Sequence, residues 1–259
     1  HFTRQLESKV KKTIRDHKLI KENDVICVAL SGGKDSSLTL YLLNKFFRNR
    51  PDIEIKALAI DEGIKGYRDE SLKIAKGLCK DLDVELTIAS FKKEFGKTLD
   101  KIMKEKDTRP CTYCGVLRRF LLNKKARELG ATKLATGHNL DDEIQSIFIN
   151  HLKGDINRLL RLGADPIIVE HPKFVHRIKP LRNIPEKETA LYVLLHNIKA
   201  HFGECPYASG IRIDVRDFLN QMEEKYPGTK HNIISHFDTI LPALRKYFSE
   251  RGKIKLCPK

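Results

Sequence analysis

The chain has 259 residues, of which 41% are hydrophobic and 32% charged, which excludes a disordered protein and allows a large core. No apolar run approaches the ~20 residues that a membrane-spanning helix requires, and no signal-peptide pattern is present, so we expect a cytoplasmic protein outside the membrane. The formal net charge is +15, from 49 basic and 34 acidic residues. This excess favours a polyanionic partner, nucleic acid before an acidic membrane, and a merely lysine-rich surface is the alternative.

The first part of the chain alternates strand and helix patterns after a basic amphipathic helix predicted over residues 3–16. Strand patterns occupy residues 24–30, 53–60, 84–89 and 132–136. Helix patterns occupy residues 36–48, 68–81, 92–104, 114–129 and 140–152. The alternation predicts an α/β fold with a doubly wound parallel sheet, in which ligands bind beyond the carboxyl ends of the strands.

The rest of the chain is mainly helical, apart from a looser segment at 163–184 that is rich in basic residues and prolines. Helices are predicted over residues 157–162, 185–197, 214–225 and 230–251, and a loop over 201–212. We therefore expect four segments: an N-terminal basic helix (1–21), the sheet domain (22–184), a mainly helical C-terminal part carrying Cys205 (185–252), and a short tail (253–259).

A glycine-containing loop, Ser31-Gly32-Gly33-Lys34-Asp35-Ser36, lies between the first strand and its helix. Glycines let the backbone turn tightly and approach a ligand, and the following helix N-terminus offers free N–H groups to an anion. The loop is not a Walker motif, because position 28 is valine and Asp35 follows the lysine. It resembles the PP-loop of the ATP pyrophosphatases, which split ATP into AMP and pyrophosphate. An ordinary Gly-Gly turn is the alternative.

Two further polar motifs follow predicted strands, namely Asp61-Glu62-Gly63 and Gly137-His138-Asn139. Since the carboxyl ends of parallel strands meet at one edge of a sheet, we expect both motifs to lie near the glycine loop. Ile60 and Asp61 close the second strand, where the adenine and ribose of a nucleotide would lie. Gly137 and His138 end another strand near the same crevice, and a purely structural role for His138 is an equal alternative.

The six cysteines argue for metal or sulfur chemistry rather than disulfides in a cytoplasmic chain. Cys27 and Cys79 fall inside a strand and a helix pattern and are most simply core residues. Cys111 and Cys114 form a C-x-x-C pair at a helix start, where the dipole favours thiolate, and Cys205 lies in a polar loop.

These last three, called here the cysteine trio (Cys111, Cys114 and Cys205), suit an iron–sulfur cluster in which one iron has no protein ligand. With His201, four residues before Cys205, they would instead make a Cys₃His zinc site. A redox dithiol without metal is the third interpretation. The terminal Cys257-Pro258 looks like half of a zinc knuckle, and an exposed tail cysteine is an equal alternative.

Four motifs together carry a family resemblance: Ser31–Ser36, Cys111–Arg119, Gly137–Glu143 and Cys205–Ala208. Read in this order, the chain resembles the tRNA 2-thiouridine synthetases of the TtuA/NcsA type. The resemblance implies a nucleotide α-hydrolase-like PP-loop domain over 22–184. It also implies that ATP adenylates the C2 oxygen of a tRNA uridine, position 34 being favoured over 54, and that sulfide then replaces this oxygen.

The resemblance further implies cofactors and partners. These are ATP, Mg²⁺ and a 4Fe–4S cluster held by the cysteine trio, with structural Zn²⁺ at or beyond the ends of the chain. Sulfur would come from free sulfide or a ubiquitin-like carrier protein, and a homodimer is expected. The cytidine 2-thiolases, a zinc-stabilised tRNA-binding module and a persulfide-relay protein are the alternatives.

Individual roles follow from chemistry and from the resemblance. The loop and Lys34 would hold the released pyrophosphate, and Asp35 would hold Mg²⁺ or simply cap the next helix. Asp142 is chosen over Asp141, by match to the family, as the acid/base or metal-linked carboxylate. Arg118 lies one turn after Cys114, on the same face, and is expected to act on the adenylate or on a thiolate. The expected nucleotide-binding residues are Ala29, Ser31, Gly32, Gly33, Lys34, Asp35, Ser36, Ile60, Asp61, Gly137 and His138.

For tRNA, the candidates are basic side chains that would contact phosphates: Lys124, Lys125, Arg127, Lys153, Arg158, Arg161, Lys173, Arg177, Lys179 and Arg182. Each is, taken singly, more simply a solvated charge. Tyr113 and Tyr207 flank the cysteines and are expected either to stack on a flipped base or to shield a cluster from water.

Overall fold

The computed structural model describes residues 1–105, 110–164, 173–208 and 210–251. The strands are β1 (Val25–Ala29), β2 (Glu54–Asp61), β3 (Leu86–Ser90), β4 (Lys133–Ala135) and β5 (His176–Ile178). The helices are α1 (Phe2–Asp16), α2 (Lys34–Phe47), α3 (Tyr67–Leu82), α4 (Phe91–Phe95), α5 (Leu99–Glu105), α6 (Pro110–Glu128), α7 (Leu140–Leu152), α8 (Ile156–Leu159), α9 (Glu186–Leu195), α10 (Ile211–Lys225) and α11 (Thr229–Arg251). Among these described helices, none is both long and apolar enough to cross a membrane.

The five strands form one parallel sheet in the order β3-β2-β1-β4-β5. The chain therefore winds outward from β1 in both directions, and the predicted doubly wound α/β fold is confirmed. In such a sheet the ligand crevice opens between the strands where the winding reverses, here β1 and β4, at their carboxyl ends.

The sheet is buried on both faces, because successive side chains of a strand point to opposite sides. On β1, Ile26 and Val28 join a core with α1, α2 and α9. Cys27, between them, joins a second core with α6 on the other face. The interpretation of Cys27 as a core residue is confirmed, since it is fully buried.

The structure differs from the predicted elements at two places. The helix expected over 92–104 is two helices, α4 and α5, because Gly96 ends α4 with a left-handed φ of +75°. The strand β5, which lies in the segment read as loose, was missed, because it has only three residues and begins with His176 and Arg177.

The C-terminal helices pack directly on the sheet domain. Tyr192 and Val193 of α9 are buried in the core that contains β1 and α2. Leu219 of α10 and Ile234 of α11 are buried with Leu140 of α7. The elements around the crevice are therefore held from several parts of the chain.

A buried ion pair joins α11 to the segment after β5. The side chain of Arg182 is fully buried and donates two hydrogen bonds to Asp238, at 2.7 and 2.9 Å. Lys179 is also buried and lies 2.5 Å from Glu143 of α7. The expectation that Lys179 and Arg182 contact tRNA phosphates is wrong, because both cations are buried and paired inside the protein.

Breaking this pair is expected to destabilise the protein. Arg182→Met leaves Asp238 without its cation and removes the second of the two cations beside the buried Glu143, which costs about 3 kcal/mol of unfolding free energy. Arg50→Met removes an exposed pair with Asp52 and is expected to change the same quantity by less than about 1 kcal/mol. Urea denaturation of both variants measures the difference, and equal losses would contradict the structural role of Arg182.

Candidate active site

The glycine loop turns sharply between β1 and α2, and its own side chains hold it in shape. Ser36 Oγ lies 3.0 Å from Ser31 Oγ and accepts a hydrogen bond from the Ser31 N–H at 3.2 Å. Gly33 is the N-cap of α2 in an extended conformation. The first N–H groups of α2 therefore face the crevice, where a helix N-terminus binds anions such as phosphate.

Gly32 is the point of closest approach in this loop. Its φ is +86°, and a Cβ at this position would lie 2.1 Å from the backbone oxygen of Ser71 in α3. Gly137 shows a similar approach, because its Cβ would lie 2.7 Å from the backbone nitrogen of Ser36. Both glycines thus allow backbone to pack against backbone around the loop, and no other residue type fits without a shift.

Lys34 is held between two carboxylates at the start of α2. Its Nζ lies 3.0 Å from Asp35 Oδ2 and 2.6 Å from Glu186 Oε1 of α9. Burial disfavours the charge of Lys34, but Asp35 and Glu186 together outweigh burial and raise its pKa. The lysine is therefore a fixed positive charge beside the loop.

The carboxylate of Asp35 is oriented by two neutral groups. Its Oδ1 accepts hydrogen bonds from Thr189 Oγ1 at 2.6 Å and from Asn139 Nδ2 at 3.1 Å. Asp35 does not bond the backbone of its own helix in the manner of an N-cap. Sequence reasoning missed Glu186 and Thr189, which lie about 150 residues along the chain and carry no motif of their own.

The neighbours Asp141 and Asp142 point in different directions. Asp141 is buried, forms an ion pair with Lys230 and accepts the N–H of Glu186 at 2.7 Å. Asp142 lies at the crevice, 3.8 Å from Arg212, and caps α7 through the N–H of Asn139. Burial raises the pKa of Asp142 to about 6, and the negative charge of Asp35 adds to this effect.

The end of β2 lies on the other side of the loop. The backbone oxygen of Ile60 accepts a hydrogen bond from Arg68, and Asp61 Oδ1 accepts the N–H of Gly63 at 2.9 Å. Ala29, the last residue of β1, pairs with Leu58 of β2. These residues lie at the carboxyl ends of β1 and β2, next to the glycine loop.

His138 follows β4 and borders the same crevice. Its Nδ1 lies 2.8 Å from Thr136 Oγ1. The pKa of His138 is lowered to about 4, first by desolvation and second by the nearby Lys179 cation, so the imidazole is neutral at pH 7. A neutral imidazole in this position provides a hydrogen-bonding group rather than a charge.

The cysteine trio is gathered from two segments at the start of α6 and before α10. Cys111 Sγ donates to the backbone oxygen of Tyr207 at 3.4 Å, and Cys114 Sγ accepts from Arg118 Nη2 at 3.1 Å. Cys205 packs against the same core cluster as Cys114. Burial raises the pKa of the Cys114 thiol, and the Arg118 cation opposes that shift.

Cysteine thiolates are the usual ligands of iron–sulfur clusters, and three of them would leave one iron of a 4Fe–4S cluster without a protein ligand. Within the described ranges, no three Cys, His, Asp or Glu side chains are close enough to bind one metal ion. A 4Fe–4S cluster makes another demand, since each cysteine binds a different iron and the sulfurs stand around a cube. His201, the fourth ligand of the zinc alternative, lies 3.4 Å from Glu70 and packs edge-on against Tyr67.

The other described cysteines are inert by position. Burial raises the pKa of Cys27 to about 12 and that of Cys79 to about 11, so neither is a thiolate at neutral pH. All five described cysteines are free of disulfides. Cys257 and the zinc knuckle expected at 253–259 lie outside the described residues.

Comparison with known proteins agrees with this geometry. A family model of the PP-loop domain matches residues 2–204, so the chain belongs to the PP-loop proteins. The tRNA 2-thiolation protein NcsA of Haloferax volcanii is 38% identical over 272 residues, covering 99% of this chain and 84% of the relative. The chain therefore belongs, among PP-loop proteins, to the NcsA/TtuA-type tRNA 2-thiolation family.

Two further relatives agree with that family. The tRNA-5-methyluridine(54) 2-sulfurtransferase of Pyrococcus horikoshii is 38% identical, with 90% of this chain and 73% of the relative covered. The solved U34-tRNA thiolase NcsA of Methanococcus maripaludis, which carries its [4Fe-4S] cluster, superposes with a TM-score of 0.83 at 38% identity. That match covers 93% of this chain and 79% of the solved one. The predicted family resemblance is confirmed.

Gly32→Ala is expected to disrupt the loop. The added Cβ meets Ser71 at 2.1 Å, so α3 or the loop must shift, and binding of an ATP analogue should fall by at least tenfold. Gly66→Ala is a matched control: its φ is +79° but its Cβ has no neighbour within 4 Å, so only the backbone strain of about 1 kcal/mol remains. Calorimetric titration and thermal melting separate the two effects. Similar binding by both variants would contradict the steric argument.

Asp142→Asn is expected to stabilise the protein while removing a candidate catalytic carboxylate. The raised pKa of Asp142 means that its negative charge destabilises the folded state. This destabilisation is complete above pH 6 and decreases as the pH falls toward 4, where the carboxyl group becomes protonated. With about a third of the side chain exposed, we expect a gain of about 1 kcal/mol at pH 8, or ~2–4 °C in melting temperature.

The neighbouring variant provides the control for this prediction. Asp141→Asn leaves the largely buried Lys230 side chain without its charge partner and is expected to lower the melting temperature. Melting curves at pH 8 and pH 4.5 test the expected rise in melting temperature for Asp142→Asn and the expected fall for Asp141→Asn. A stabilisation by Asp142→Asn that does not shrink at the lower pH would contradict the assigned cause.

Proposed function

We propose that the protein converts a tRNA uridine to 2-thiouridine, with ATP bound at the glycine loop and sulfide delivered at the cysteine trio. The observation that carries the proposal is the contact between the two half-sites. The N–H of His201, in the segment that leads to Cys205, donates to the backbone oxygen of Gly32 at 2.7 Å. A nucleotide site and a sulfur site joined in this way suit one substrate that is first activated and then thiolated.

The chemistry requires both half-sites because a uracil C2 oxygen is a poor leaving group. The C2 oxygen attacks the α-phosphorus of ATP and pyrophosphate leaves; hydrosulfide then adds to C2 and AMP departs with the oxygen. The free N–H groups of α2, the loop residues Ser31–Ser36 and Lys34 would bind the phosphates. Asp35 and Asp142 would hold Mg²⁺, which neutralises phosphate charge.

The sulfur half would be held by Cys111, Cys114 and Cys205. A 4Fe–4S cluster on three cysteines supplies an iron that is open to an external ligand such as hydrosulfide. Arg118 places a cation 3.1 Å from Cys114 Sγ, where it favours the thiolate that a metal ligand needs. Ala29, Ile60 and Asp61 would contact the adenosine, and Gly137 and His138 would border the activated base.

The wider organisation is proposed on the same basis. The chain would act as a cytoplasmic homodimer that receives sulfur from free sulfide or from a ubiquitin-like carrier. Residues 22–184 would be the PP-loop domain, flanked by the N-terminal helix (1–21) and by the helical part with Cys205 (185–252). A structural zinc ion would involve Cys257.

Position 34 is the proposed site of modification. The Methanococcus NcsA, whose structure matches 93% of this chain, is a U34-tRNA thiolase, whereas the Pyrococcus relative acts, by its name, at position 54. Nucleoside mapping of tRNA treated with the anaerobically reconstituted protein, ATP and sulfide decides between them. Thiolation at 54 alone would overturn the choice of position, and 2-thiocytidine would overturn the choice of base.

Cys205→Ser is expected to abolish both iron binding and thiolation. Cys79→Ala is the matched control, because this buried cysteine lies on α3 and its thiol stays protonated. Iron content, the visible absorption of the cluster and ATP-dependent thiolation are measured on both variants and the parent. Thiolation by the parent protein without iron, or by Cys205→Ser at the parental rate, would contradict the proposal that the cysteine trio holds a 4Fe–4S cluster.

A further inference from the structure

We propose that Glu62 and Arg68 are positioning residues that hold Arg118 against Cys114 and tie it to the glycine loop. The inference rests on the function proposed above and adds two residues to its machinery. Both residues are almost completely buried, with 5% of Glu62 and 4% of Arg68 exposed. Their contacts form one chain of interactions from the nucleotide half-site to the sulfur half-site.

Arg68, in the first turn of α3, fixes the nucleotide end of this chain. Its Nη1 donates to the backbone oxygen of Ser31 at 2.6 Å and to Ser71 Oγ at 2.9 Å, and its Nη2 donates to the backbone oxygen of Ile60. One guanidinium therefore joins the glycine loop, the end of β2 and α3. The planar guanidinium group of arginine has several N–H donors and can bond all of these acceptors at once, whereas the single ammonium group of lysine cannot.

Glu62 continues the chain from Arg68 to α6. Its Oε2 lies 2.8 Å from Arg68 Nε, and its Oε1 lies 3.3 Å from Arg118 Nε. A carboxylate buried to this extent is retained only with charged partners, and Glu62 has one on each side. It is thus shared between an arginine bound to the glycine loop and an arginine bound to the cysteine trio.

Arg118 ends the chain at the sulfur half-site. Its side chain is 46% exposed, so without a partner it would occupy many rotamers in solvent. Glu62 holds its Nε while Nη2 donates to Cys114 Sγ at 3.1 Å. The Glu62 carboxylate therefore selects the one arrangement of Arg118 that faces the cysteine.

The same two half-sites are joined a second time, through the backbone of Gly32 and His201 at 2.7 Å. Cys114 and Cys205 are thus each linked to the glycine loop by a separate route. If nucleotide binding affects one end, thermodynamic linkage requires that a change at the other end acts back on nucleotide affinity. The pair Glu62–Arg68 supplies the side-chain route.

Glu62→Gln tests this role, since it keeps the size of the side chain and removes the charge that Arg118 requires. Glu94→Gln is the matched control. Glu94 also pairs with two cations of α6, at 2.7 Å from Lys124 and from Lys125, but these two partners belong to neither half-site. Each holoprotein is reduced with dithionite, and the electron paramagnetic resonance of its cluster is recorded with and without a non-hydrolysable ATP analogue.

In the parent and in Glu94→Gln, the analogue is expected to shift the cluster spectrum. In Glu62→Gln, we expect full iron content, no shift, and a 10- to 100-fold lower kcat for thiolation with less than a threefold change in the KM for ATP. A shift and a kcat equal to the parent's would overturn the proposal. So would a parent that thiolates tRNA but shows no shift, whereas a parent without thiolation would overturn the function itself.

Arg118→Lys keeps the test decisive if Glu62→Gln does not fold. Arg118 is half-exposed, so its replacement is not expected to unfold the protein. Lysine keeps the positive charge but lacks the guanidinium group that contacts Glu62 and Cys114 at the same time. The expected result is again loss of the analogue-induced shift with iron content retained. A retained shift would overturn the proposal, because the spectrum would then not depend on the contacts of Arg118 with Glu62 and Cys114.

Discussion

The backbone of Gly32 is the contact on which the candidate site depends. Its Cα lies against the backbone of Ser71 in α3, and its oxygen accepts the N–H of His201. A single residue without a side chain therefore brings together the loop after β1, the helix after β2 and the segment before Cys205. A Cβ at this point would separate these three elements, since the closest atom would be 2.1 Å away.

Around this contact, charge is arranged at a cost in stability. Asp35, Asp142 and Glu186 bring three carboxylates to one crevice, although the chain as a whole carries a net charge of +15. Burial and the negative charges of Asp35 and Glu186 raise the pKa of Asp142, so the charge of its carboxylate is unfavourable in the folded protein. Carboxylates kept close together against their repulsion are typical of sites that bind a divalent cation with a nucleotide.

The sheet and the glycine loop were predictable because their signals are local. Strands β1 and β2 are apolar runs, and the six residues Ser31–Ser36 follow β1 directly. The partners of this loop were not predictable, because Thr189 and Glu186 reach Asp35 and Lys34 only after α9 packs on α2. The same limit explains Glu62, which stood in a recognised motif but whose partners lie on α3 and α6.

Basic residues were also misjudged for a physical reason. Charged side chains are mostly exposed in proteins, so each arginine and lysine near the looser segment was read as a surface group. Arg182 and Lys179 are exceptions, because ion pairs with Asp238 and Glu143 compensate the burial of their charges. Pairing between distant carboxylates and cations cannot be read from spacing along the chain.

The engagement of Lys34 has a consequence for nucleotide entry. Its ammonium group is already bound to Asp35 and to Glu186, at 3.0 and 2.6 Å. A phosphate that approaches the loop must therefore compete for this cation with two carboxylates, of which Glu186 is the more exposed, at 41%. Because Glu186 is the first residue of α9 and its N–H is held by Asp141, its side chain can release Lys34 without moving the helix. Phosphate binding then exchanges one anionic partner of Lys34 for another, and the freed carboxylate adds to the negative charge that a divalent cation neutralises.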